Sequence, residues 1–190
     1  DEVGRGAFAG PLTVAGVLRD RSAPVPPYWS NVRDSKKLSA RSRKKLAGAI
    51  LSTESIKYCI VDIDAESLDL FGGLEPAMQK AVIVICNELQ SDDRVVFIDG
   101  TSNYGVGYSI IKGEDKVKEI AAASIIAKVH RDLYMIAKVD DPGYGFAQHK
   151  GYGTDRHREA LEMLGPCQEH RRLVRWIRER WGTRLADTIG

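Results

Sequence analysis

The chain has 190 residues, 43% of them hydrophobic and 28% charged, a balance that supports one domain with a substantial core and excludes a disordered chain. Twenty-eight Lys and Arg stand against 26 Asp and Glu, a formal net charge of +2, so the total selects no partner and only the distribution of charge is informative. No apolar stretch reaches the roughly 18 residues that a membrane helix needs, and no signal-peptide pattern opens the chain. Three cysteines, at 59, 86 and 167, show no C-x-x-C spacing, and Cys59 and Cys86 sit in apolar runs where reduced core thiols are expected. These features predict a cytoplasmic protein with no membrane partner. The chain opens on Asp1 rather than Met, and residues upstream of it are expected to be missing.

In chain order, residues 12–18 (LTVAGVL) follow Gly10-Pro11 with strand composition. Residues 31–45 carry seven basic side chains, Arg33, Lys36, Lys37, Arg41, Arg43, Lys44 and Lys45, against the single acid Asp34. Ser39 N-caps a helix over 40–51. Residues 57–63 (KYCIVDI) read as a second strand. The pair Gly72-Gly73 separates a short helix from a longer one over 75–89, where Pro76 suits the first turn and Ala77, Met78, Ala81, Val82, Ile85 and Leu89 keep helical spacing. Strands follow at 94–98 (RVVFI) and, after a turn-rich stretch, at 107–111 (GYSII), giving at least four.

Residues 116–137 make the best-marked helix. Ala121, Ile125, Val129, Leu133 and Ile136, spaced 4, 4, 4 and 3 apart, form its expected core stripe, and Ser124, Lys128 and Arg131 share a polar face. Thr154 caps a helix that Gly165-Pro166 stops, and Leu173, Val174, Ile177 and Trp181 stripe a last one. A second basic cluster, Arg171, Arg172, Arg175, Arg178, Arg180 and Arg184, lies there. Early strands with helices between and after them predict an α/β layer fold.

Two basic patches on a nearly neutral chain suit a phosphate backbone, and phosphoryl-transfer nucleases hold two dications with carboxylates converging from different strands. Acids stand at three strand ends: Asp1-Glu2, Asp99 and Glu114-Asp115. Taken singly, each has an ordinary explanation as a turn or a helix start, and the charge runs as solvated helix faces. Their joint appearance beside the Ser124, Lys128, Arg131 face is what suggests chemistry. Gly4-Arg5-Gly6 adds a short segment whose backbone amides a sugar or phosphate can approach closely.

These residues carry a family resemblance. Asp1-Glu2-Val3-Gly4-Arg5-Gly6, Asp34-Ser35-Lys36-Lys37-Leu38, Ile98-Asp99-Gly100, Lys112-Gly113-Glu114, Ala122-Ala123-Ser124-Ile125-Ile126-Ala127-Lys128, Arg131-Asp132, Tyr144-Gly145-Phe146, His149-Lys150-Gly151-Tyr152-Gly153-Thr154 and His170-Arg171-Arg172 run in order through the chain, which resembles type 2 ribonuclease H of the bacterial form. The resemblance implies an RNase H-like mixed sheet flanked by helices over 1–138, with a helical extension over 139–190 packed on it as one structural domain. It implies an endonuclease that cleaves the RNA strand of RNA–DNA hybrids, and DNA 5′ of embedded ribonucleotides, leaving 3′-hydroxyl and 5′-phosphate ends, and a monomer.

By the same resemblance Asp1, Glu2, Asp99 and Glu114 are the metal-holding catalytic carboxylates, with Mg²⁺ or Mn²⁺ on either side of the phosphate, one ion activating water and the other stabilising the leaving 3′-oxygen. Gly4, Arg5 and Gly6 match the reader of the ribonucleotide 2′-hydroxyl, the group that tells RNA from DNA. Tyr152 matches the tyrosine against the sugar, and Lys36, Lys37, Ser124, Lys128 and Arg131 fall in segments along the nucleic-acid backbone.

Three departures qualify the match. Glu114 stands where Asp is usual, and Asp115 is the alternative fourth ligand. Asp69-Leu70 stands where many members have Asn-Ile, and Asp69 there puts one DNA-strand contact in doubt. The strand that leads into the acidic pair is absent, so Asp1 is expected to be loosely held. None of His130, His149, His157 and His170 shows a metal-ligand motif. Two alternatives stand beside the enzyme: a hybrid-binding module without turnover, and another nuclease or integrase of the same fold.

Overall fold

Local hydrogen-bond chemistry sets where several helices begin and end. The computed structural model describes residues 1–91, 93–137 and 140–186, with backbone alone for 183–186. Ser39 accepts from Ser42 N (3.2 Å) at the start of α1 (Ala40–Leu51), and Asp64 accepts from Ser67 N (2.7 Å) at the start of α2 (Ala65–Leu70). α3 (Leu74–Glu88) and α4 (Lys118–Ala137) follow. Beyond them α5 (Phe146–His149) leads to α6 (Asp155–Leu164), which Thr154 caps and Gly165 ends at φ +71°. α7 (Arg175–Ala186) is the last.

Five strands are present among the described residues. β1 (Glu2–Val3) pairs antiparallel with β2 (Leu12–Arg19) in register Glu2 to Val14, and β3 (Ile56–Ile63) continues that sheet in the order β1-β2-β3. β4 (Phe97–Asp99) and β5 (Tyr108–Ile110) form a second, parallel ladder. The run at 94–98 is therefore strand only near its end. The long helix starts two residues later than expected, after a 3-10 turn over Gly113–Asp115. Among the described residues no helix is long and apolar enough to cross a membrane, and the three cysteines are free, with Cys59 and Cys86 only half-buried, which corrects the reading of those two as core thiols.

The chain divides into two compact units. One comprises Asp1–Val3, Thr13–Val61 and Met78–His130; the other comprises Gly4–Leu12, Asp62–Ala77 and the described residues from Arg131 onward. The division expected at 138 and 139 falls outside the described residues. In the first unit Trp29, Val32, Ile50 and Ile56 pack with α4 residues Ile125 and Ile126, each fully buried aliphatic contributing roughly 1.5–3 kcal/mol. In the second, Met135, Tyr144, Phe146, Leu161 and Ile177 enclose Ala9.

The expected core stripe of α4 holds only in its first half. Ala121 and Ile125 are buried, but Leu133 is 46% and Ile136 51% exposed, while Arg131 at 0% and Met135 at 1% point inward. Residues 120–127 are buried on all sides, so the apolar pattern there carries no information about which face continues inward. In the second half that face is chosen by what it meets.

Candidate metal site and glycine turn

The acidic site lies in the first unit. Asp1 extends the β1-β2 ladder by exchanging both backbone bonds with Ala15, donating to its carbonyl (3.0 Å) and accepting from its amide (2.9 Å); this corrects the expectation of a loosely held Asp1. Its Oδ1 accepts from Glu2 N (2.6 Å). Asp99 ends β4, and its Oδ1 accepts from Gly113 N (2.6 Å). Gly113 permits that approach, because a Cβ there would fall 3.1 Å from Asp99 Oδ1 and 2.6 Å from Ile120. The same turn carries Glu114 next to Asp99. The charges of Glu2, Asp99 and Glu114 all act on the α-nitrogen of Asp1, so the four acids share one neighbourhood.

Glu114 and Asp115 differ sharply. Asp115 forms an ion pair with Lys37 that holds its carboxyl below the usual range and raises the Lys37 ammonium. Glu114 turns inward: its side chain is 13% exposed and Oε2 is buried without a hydrogen-bond partner. Burial pushes its carboxyl up, and the charge of Asp99 adds to this against a backbone hydrogen bond and the charge of Lys36, whose Nζ stands 3.7 Å from Oε1. Two ionised carboxylates are both acceptors and cannot bond to each other, so the Asp99–Glu114 pair calls for a proton or a cation. That demand fits a dication. No three carboxylate, imidazole or thiol side chains among the described residues stand in a geometry that closes around one ion, and an ion such as Mg²⁺ keeps several water or phosphate ligands rather than a full protein cage.

Around the acids the basic residues divide. Lys36 and Lys37 are exposed, whereas Arg43 donates to the carbonyls of Ser35 and Leu38 and fastens the turn that bears them. Ser124 is buried, sharing a 2.9 Å hydrogen bond with Ser35 Oγ, and Lys128 is half-buried. An open cavity of about 1060 Å³ has Asp1 and Glu2 in its lining, with Met78, Val82, Ile85 and Leu89. Asp99 and Glu114 do not line it, so this cavity does not take in all four carboxylates.

The glycine turn belongs to the second unit. Gly4 has φ +89°, and a Cβ there would overlap the Arg131 side chain and lie 2.9 Å from Pro11 O, so the fold itself demands glycine. Gly6 is different: it is exposed, its φ is ordinary, and a Cβ would meet nothing within 4 Å. Arg5 is exposed and forms an ion pair with Glu75. Ala7 bridges antiparallel to Tyr152, which brings the turn and the predicted sugar-packing tyrosine together.

Arg131 is corrected. It does not share an exposed polar face with Lys128; its guanidinium donates to the carbonyls of Pro11 (2.8 Å), Lys150 (2.9 Å) and Ala9 (3.0 Å) and lies 5.4 Å from the Tyr152 ring centroid. Arg171, in the basic cluster that spacing reads as a solvated face, is also buried, donating to Gly4 O (2.6 Å) and Gly10 O (2.9 Å). Burial, with the charge of Arg131 added, pushes its guanidinium down to about 9, so it remains a cation at neutral pH. Asp69 accepts from the amides of Arg172 and Leu173 (2.9 and 3.1 Å), which accounts for the acid at that position. Arg175 and Arg180 pair with Glu179 and Glu162, while the side chain of Arg184 lies outside the described residues.

Tyr152 is anchored by imidazoles. His170 Nδ1 accepts from Cys167 N (2.9 Å), so its proton sits on Nε2 and donates to His157 Nε2 (3.0 Å), leaving His157 Nδ1 to donate to Tyr152 O (3.0 Å). Both rings are neutral in this chain, and burial drives their pKa values down to about 4 for His157 and about 3 for His170. Sequence reasoning gave no role to Arg171, Ser35, Glu75 or this histidine pair, although Ser35, His170 and Arg171 stand in the family motifs, as Gly113 does in its Lys-Gly-Glu run.

A family model described as ribonuclease HII matches residues 1–183. A ribonuclease HII of Nitrosococcus oceani is 39% identical over 185 residues, covering 94% of this chain and 88% of that protein. Among solved structures, a ribonuclease H2 from Pyrococcus horikoshii superposes with a TM-score of 0.77 at 22% identity, covering 94% and 93% of the two chains. The ribonuclease HII of a complex with PCNA from Archaeoglobus fulgidus gives 0.73 at 26% identity, covering 93% and 92%.

Proposed function

The chain belongs to the ribonuclease HII family of metal-dependent endoribonucleases that act on RNA–DNA hybrids, and from that premise we propose how its residues divide the work. Asp1, Glu2, Asp99 and Glu114 hold Mg²⁺ or Mn²⁺, with Glu114 rather than Asp115 as fourth ligand. When bound, such ions supply an activated water and Lewis acidity at the leaving oxygen. With ions held there, these carboxylates would fix where the scissile phosphate lies, and cleavage falls 5′ of a ribonucleotide, in hybrids and in DNA with embedded ribonucleotides, leaving a 3′-hydroxyl and a 5′-phosphate. Lys36, Lys37 and Lys128 neutralise the nucleic-acid backbone. The backbone amides of Gly4-Arg5-Gly6 read the 2′-hydroxyl and Tyr152 packs against the sugar. The working unit is a monomer, and the compartment the cytoplasm.

The observation that carries this reading is the buried, unpartnered Glu114 Oε2 beside Asp99, an arrangement that costs stability unless a cation answers it. The test is cleavage of a DNA duplex holding one ribonucleotide, with Mg²⁺ or Mn²⁺ added to chelator-treated protein. Metal-dependent cutting 5′ of the ribonucleotide is expected. Tight binding without cutting points to a hybrid-binding module, and cutting of all-DNA duplex to a different nuclease.

A further inference from the structure

Gly4-Arg5-Gly6 has two exposed residues between two buried ones, Gly4 and Ala7, and the carbonyl of Gly4 is held from the inside. Arg171 Nη1 donates to Gly4 O at 2.6 Å and, at 3.4 Å, approaches Arg5 O, while Nε donates to Gly10 O at 2.9 Å. In a planar trans peptide the C=O and the N–H point in opposite directions. A Gly4 carbonyl aimed at a buried guanidinium therefore turns the Arg5 N–H away from the interior, and an Arg5 carbonyl drawn the same way turns the Gly6 N–H outward. Gly4, at φ +89°, lets the chain fold back far enough for both. The result is a pair of successive amide donors on the exposed side, the kind of concavity that binds an electron-rich oxygen.

The charge matters as well as the geometry. A carbonyl that accepts from a cation is polarised, and the N–H of the same peptide becomes a better donor. Arg131 secures the other limb of the turn through Ala9 O and Pro11 O. Lysine cannot replace Arg171 fully, because one ammonium does not span Gly4 O and Gly10 O as the guanidinium fork does.

We infer that Arg171 is a positioning residue for ribose recognition: from behind the turn it aims and polarises the amides of Arg5 and Gly6 towards the 2′-oxygen. This rests on the reading of the glycine turn as the 2′-hydroxyl reader, and the experiment separates the two. Affinities of the full chain for a DNA duplex with one ribonucleotide and for its all-DNA counterpart are measured by fluorescence anisotropy in chelator, for wild type, Gly6→Ala and Arg171→Lys, with thermal melts alongside. Arg171→Lys is expected to lose about tenfold of the ribonucleotide preference, the worth of one hydrogen bond to a charged group, with all-DNA affinity within about twofold of wild type. Gly6→Ala loses the preference at unchanged melting temperature.

If Gly6→Ala keeps the preference, the turn does not read the sugar, and the inference falls with it. If Gly6→Ala loses it while Arg171→Lys keeps it, or if Arg171→Lys weakens both duplexes equally, Arg171 is merely structural and the inference alone is overturned. Should Arg171→Lys fail to fold, amide resonances of Arg5 and Gly6 in the wild type decide: they shift with the ribonucleotide duplex and not with all-DNA, and an absence of shift overturns the inference.

Discussion

The acidic site and the glycine turn are adjacent in sequence, yet they manage charge in opposite ways. Around Asp99 and Glu114, carboxylates crowd one another and one oxygen is left without a partner. In the turn, the carbonyls of Gly4, Ala9, Gly10 and Pro11 each accept from a buried arginine. A site that must take up ions keeps an unmet electrostatic demand, whereas a surface that must present fixed donors satisfies its inward acceptors first. Substitutions in the first should thus remove chemistry with little loss of fold, and substitutions of the buried residues of the second should disturb the fold as well.

The largest effect is expected from Asp99→Asn. The amide oxygen still accepts from Gly113 N, but the anionic charge is gone, so cleavage should fall on the order of 10³-fold or more while duplex affinity stays within about twofold. Loss of binding in parallel with activity would place Asp99 in the fold rather than in the chemistry. Next, Glu114→Gln should cost on the order of 10²-fold in cleavage rate, and Asp115→Asn, which loses only an exposed pair with Lys37, should stay within about threefold of wild type. Initial rates of the two variants under saturating metal decide this, and the reverse ranking makes Asp115 the ligand.

Acidification tests the second unit instead. His157 and His170 have folded pKa values of about 4 and about 3 against an ordinary 6.5. Above 6.5 both states are neutral; below it the unfolded chain takes up protons that the fold refuses, so stability falls as pH drops from 6.5 towards 4. Each imidazole accounts for on the order of 3 kcal/mol over that span. Urea midpoints that are flat between pH 6.5 and 4.5, or unchanged in His157→Phe, contradict this account.

Gly4→Ala, strained at positive φ and overlapping Arg131, is expected to lower stability by about 1–3 kcal/mol, read as a lower melting temperature; a wild-type melt would mean that the turn yields easily. The smallest effect belongs to Glu75→Gln, since the Arg5–Glu75 pair is half-exposed and worth less than about 1 kcal/mol. Only its salt dependence in a melt should change.

Much of this was legible in the sequence for local reasons. Ser39 and Thr154 cap helices because their oxygens meet amides three residues on, Gly165 ends α6 because it alone tolerates its φ, and strand-end acids stand out by alternation and turn chemistry. The family was legible too, because its motifs run in order through the chain. Arg131, Arg171 and Asp69 were not. Arg131 and Arg171 resemble solvated cations in any helical or charged run, and Asp69 resembles a surface acid.

The sequence by itself determined several helix caps, the set of acids and the glycine turn, all of which follow from hydrogen bonds and periodicities spanning a few residues. Tertiary structure alone decided that Arg131 meets Pro11 across 120 positions, that Arg171 meets Gly10 across 161, and that Asp69 caps residues 103 and 104 positions away. A donor's choice between solvent and a buried carbonyl depends on which distant backbone arrives beside it, and no local pattern encodes that arrival.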